Sequence, residues 1–73
     1  MLTSEQLKLL AGQGGGFIIR ASDYSAEDLK HIAGFAASSG ARLTFKSCGH
    51  LSPTDLNQIA GFGQGAVVFD FTS

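Results

Sequence analysis

The chain has 73 residues, is 44% hydrophobic and 15% charged, and carries a formal net charge of −1 and one cysteine. That length holds one hydrophobic core near the lower size limit, and the composition excludes disorder driven by charge and low hydrophobicity. A charge so near zero speaks against a nucleic-acid or anionic-membrane binder working through a strong field, and Cys48 alone excludes an intramolecular disulfide.

With no disulfide and no cysteine cluster of metal-binding type, self-association is the remaining staple for so small a domain. No apolar run approaches the roughly 20 residues that span a bilayer. Met1 to Ala11 carries Glu5 and Lys8 inside a helical pattern instead of a signal-peptide core. The expected address is the cytoplasm.

In chain order, Thr3 to Gly12 (TSEQLKLLAG) reads as a first helix, with Gln6 three residues after the hydroxyl and an apolar stripe of Leu7, Leu10 and Ala11. Gly12 is its natural stop. Gly16 to Ala21 follows as a strand, with Phe17 and Ile19 inward and Ile18 and Arg20 outward. Ser25 to Gly34 (SAEDLKHIAG) repeats the helical pattern with Leu29, Ile32, Ala33 and Ala36, runs through Gly34 to Ser38 or Ser39, and stops at Gly40. Its strand is Ala41 to Lys46, with Leu43 and Phe45 inward and Arg42, Thr44 and Lys46 outward. Ser52 to Gly61 (SPTDLNQIAG) is the third helix, with Pro53 at its first turn, a stripe of Leu56, Ile59 and Ala60, and a stop at Gly61. Ala66 to Phe71 is the third strand, with Val67, Phe69 and Phe71 inward and Val68 and Asp70 outward.

Strands separated by helices are parallel with right-handed crossovers. The expected fold is therefore α/β with two layers: three α-β repeats, a small parallel three-stranded sheet, and all helices on one face. The units are 1–22, 23–47 and 48–73 of a single repeat domain. In its helix-plus-strand unit the arrangement resembles leucine-rich-repeat solenoids; the resemblance is architectural, and the asparagine ladder of that family is absent.

Arg20, Arg42, Lys46 and Asp70 share the open sheet face in this phase, a polar surface suited to a protein partner or to plain solvation. Phe35 and Phe62 hold one position in successive repeats, at the rim of the apolar stripe, and either bridge helices or anchor a partner. Cys48 and His50 follow the second strand at the carboxyl edge of the sheet, with Asp23 in the matching earlier loop; they meet the residue-type condition for a cysteine nucleophile and nothing more. Cys48, His50 and His31 are too few for a closed zinc site. The glycine runs at 12–16 and 61–65 leave a helix and enter a strand, the reverse of a phosphate-cradling loop. No cofactor or metal is expected.

The functional expectation is a non-catalytic protein-interaction module that self-associates through the open sheet face or a strand edge. The alternative is a single-target inhibitor, immunity or adaptor protein, with a minimal Cys/His enzyme last. Partners are the chain itself or one protein target, without membrane or nucleic acid.

Overall fold

The structure is a computed structural model that describes residues 3–71. Residues 1–2 and 72–73, included in the outer units, lie outside the described residues. Each helix begins on a hydroxyl cap. Thr3 Oγ1 accepts the Gln6 N–H at 3.2 Å, and Gln6 Oε1 accepts the Thr3 N–H at 2.9 Å, which starts α1 (Ser4–Gly12). Ser25 accepts from the Asp28 N–H to start α2 (Ala26–Ser39), and Ser52 from the Asp55 N–H to start α3 (Pro53–Gly63).

Helix α2 stops at Gly40 in the left-handed region (φ 80°), as its sequence indicates. The stop expected at Gly61 is not used. Helix α3 runs to Gly63 and ends on Gln64 (φ 47°) and Gly65 (φ 88°). The reason lies in packing: Gly63 is buried against α2, where a Cβ would stand 3.5 Å from Ala33 Cβ and 2.9 Å from Val67 Cγ2. An interior glycine at 61 costs only about 1 kcal/mol, so the added contact decides the boundary.

The strands are β1 (Phe17–Arg20), β2 (Leu43–Lys46) and β3 (Val67–Asp70), in the order β1-β2-β3 and parallel throughout. Register places Phe17, Leu43 and Val67 in one row, followed by rows Ile18–Thr44–Val68, Ile19–Phe45–Phe69 and Arg20–Lys46–Asp70. The first and third rows face the helices. Leu43 and Phe45 are fully enclosed there, and the Phe69 ring meets Phe45 edge-on at 6.3 Å. The strands are shorter than the sequence suggests. β3 ends at Asp70, and Phe71, expected inward, is 63% exposed and stacked on Phe69.

Helix α2 packs between α1 and α3, over the inward face of the sheet. Its buried residues Leu29, Ile32, Ala33 and Ala36 join Leu7 and Ala11 of α1, Ile59 of α3 and the β2 side chains in one core. The alanines let helices and sheet approach closely. Ser39 Oγ also donates to the Ala11 carbonyl, tying the ends of α1 and α2 together.

Candidate functional site

Single 3₁₀ turns follow β1 (Ala21–Asp23) and β2 (Cys48–His50), and they touch at the carboxyl end of the sheet. The fold thus places Asp23 and His50 in neighbouring turns, both exposed. Cys48 is turned the other way. It is buried, and its Sγ donates to the Phe45 carbonyl at 2.9 Å. Burial pushes the thiol above its usual range, opposed by a hydrogen bond with the Asp70 backbone and reinforced by the Asp70 charge. A nucleophilic thiolate needs the opposite shift. His50 Nδ1 lies 3.3 Å from the Ser47 carbonyl, so its local partner is backbone. Among the described residues no group of three His, Cys, Asp or Glu side chains gathers as metal ligands, and His31 stands exposed on the outer face of α2.

On the open sheet face, Arg20, Lys46 and Asp70 form one row, with Arg42 exposed just before β2. Like charges sit side by side at Arg20 and Lys46, opposite charges at Lys46 and Asp70. The adjoining row is apolar at both ends, with Ile18 66% and Val68 52% exposed. On the helix layer Phe35 is partly exposed and reaches over α1, where its ring lies 3.5 Å from the place of a Gly12 Cβ. Phe62 lines the next furrow with Phe35, His31 and Gly34. Phe35 therefore bridges helices while keeping an exposed edge.

The lateral flanks are the surfaces that stripe reading missed. Leu10 and Ala60, both assigned to buried stripes, are exposed. The stripe of a stacked helix is sealed by its neighbours, and α1 and α3 each have a neighbour on one side only. The signal was present in the repeat itself, because Leu10 belongs to its first copy and Ala60 to its last. Likewise Phe17 and Ile19 of β1, and Val67 and Phe69 of β3, are only half-buried, while Leu43 and Phe45 in the central strand are closed off.

No helix among the described residues is long and apolar enough to cross a membrane. No protein-family model, curated protein or solved structure matches the chain.

Proposed function

We propose that the chain is a non-catalytic protein-interaction module that acts by self-association through its exposed flanks and strand edges. One observation carries this reading: apolar positions sealed in the middle of the stack lie open at its two ends, where β1 and β3 are the outer strands of the sheet among the described residues. The buried, neutral thiol of Cys48 supports a role without nucleophilic chemistry. A lone free thiol also fits the reducing cytoplasm.

The open sheet face supports a second reading, a single-target inhibitor, immunity or adaptor protein, through its Ile18–Val68 row and the basic residues Arg20, Arg42 and Lys46. The flanks are favoured by the contrast in burial along the stack, since the positions sealed at Ile32 and Ile59 are open at Leu10.

Sedimentation from micromolar to millimolar concentration tests the proposal. The expected result is a mass that rises with concentration; a monomer across the whole range overturns it. Loss of assembly on charge reversal at Arg42 and Lys46, with flank variants unaffected, would transfer the site to the open face.

A further inference from the structure

The repeats have a direction. Counted from Thr3, Ser25 and Ser52, the residues Leu10, Ile32 and Ile59 share one position, and Ala11, Ala33 and Ala60 the next. The first of these positions is sealed only where a repeat precedes it: Ile32 and Ile59 are 0% exposed and Leu10 is 44%. The second is sealed only where a repeat follows: Ala11 and Ala33 are buried and Ala60 is exposed.

One ion pair crosses between repeats: Lys30, paired with Glu27 of its own helix at 3.3 Å, also approaches Asp55 of the next repeat at 3.9 Å, whereas Lys8 pairs with Glu5 of its own helix at 3.1 Å. At the rear flank the lysine position is Asn57, and at the front flank the aspartate position is Gln6. The two flanks thus differ in complementary ways: a large apolar residue at one end and a small one at the other, with an amide, Gln6 or Asn57, at each.

We propose that a second copy of this chain continues the stack head to tail, its α1 and β1 docking against α3 and β3 of the first. The inference rests on the self-association reading and specifies its geometry. Continuing the register of the two internal ladders sets Val67, Val68, Phe69 and Asp70 beside Phe17, Ile18, Ile19 and Arg20 of the second copy, respectively. On the helix side this joins Val67 to Phe17 and Phe69 to Ile19. On the open side it joins Val68 to Ile18 and sets Asp70 beside Arg20, opposite in charge. A slip of one residue would set Arg20 on the helix side of the first copy's sheet, so an odd register is disfavoured.

The two joined surfaces are different, so the contact is heterologous and does not close at two copies; assembly proceeds to larger species or to a ring.

The test uses Leu10→Glu and Ala60→Glu, both at exposed positions, with circular dichroism to verify folding. Each variant alone is expected to stay monomeric where the native chain assembles, with at least a ten-fold loss of association. Mixed, the two should form a 1:1 heterodimer and stop, since only one intact front and one intact rear flank can meet. Amide exchange on the native chain gives a second readout that needs no variant: protection at β1 and β3 should rise together with concentration. If either variant alone assembles as the native chain does, or the mixture forms no heterodimer, head-to-tail stacking falls while self-association stands. If the native chain is monomeric at every concentration, both readings fall.

Discussion

Gly16→Ala and Gly34→Ala are the same chemical change with opposite expected signs. A Cβ at Gly16 would stand 2.7 Å from the Arg42 carbonyl oxygen, whereas ordinary contact begins near 3.4 Å. That oxygen belongs to the backbone immediately before β2 and accepts the Phe17 N–H at 3.2 Å. The strands must therefore separate by roughly half an ångström, with overpacking strain of about 1–3 kcal/mol and about 1 kcal/mol from the weakened hydrogen bond. At Gly34, inside α2, nothing lies within 4 Å of the added methyl. Alanine there removes the entropic penalty of an interior helical glycine and stabilises by about 0.5–1 kcal/mol. A domain of this size has a total stability of about 4–11 kcal/mol. With a urea m-value of about 1 kcal/mol/M, the midpoint should fall by about 2 M or more for Gly16→Ala and rise by up to about 1 M for Gly34→Ala. A Gly16→Ala protein as stable as the native chain would refute the close β1–β2 approach, and a destabilised Gly34→Ala protein would refute the open environment on α2.

Other substitutions probe the stack and its caps. Ile32→Ala should cost about 2–5 kcal/mol and the equivalent Leu10→Ala under about 1 kcal/mol, compared by urea unfolding at concentrations where the monomer dominates. Equal costs would contradict the difference in burial. Ser25→Ala and Ser52→Ala should each lower stability by about 1 kcal/mol, seen as earlier thermal unfolding with loss of helical dichroism. Burial raises the folded-state pKa of Cys48 above its unfolded value, so its neutral form is the one the fold favours. The corresponding stability is fully present below the ordinary thiol pKa of about 8.5 and declines as pH rises through the folded value. Urea midpoints at about pH 7 and pH 9.5 should therefore diverge more for the native chain than for Cys48→Ala; an identical divergence removes Cys48 as the cause.

Repetition made the fold legible. Three hydroxyl caps, three apolar stripes and three short strands recur in one order, and each is a local property of a dozen or so residues. Caps depend on groups three positions apart, stripes on helical periodicity, and alternation in β2 on the pleat. The candidate site was legible only in part. The shared row of Arg20, Lys46 and Asp70 follows from strand phase, but Cys48 two residues before His50 gave no hint that its thiol would turn inward to the Phe45 carbonyl.

The sequence by itself determined the order of helices and strands, where each helix starts and which side of each element is apolar, because hydrogen bonding over a few residues and side-chain period are settled within each segment; the end of α3 was set by packing. Tertiary structure decided which apolar residues are covered. Leu10 and Ile32 occupy equivalent places in equivalent helices, yet one is half open and the other sealed. Burial depends on a neighbour distant along the chain, and the stack provides that neighbour on both sides of α2 but on only one side of α1 and α3.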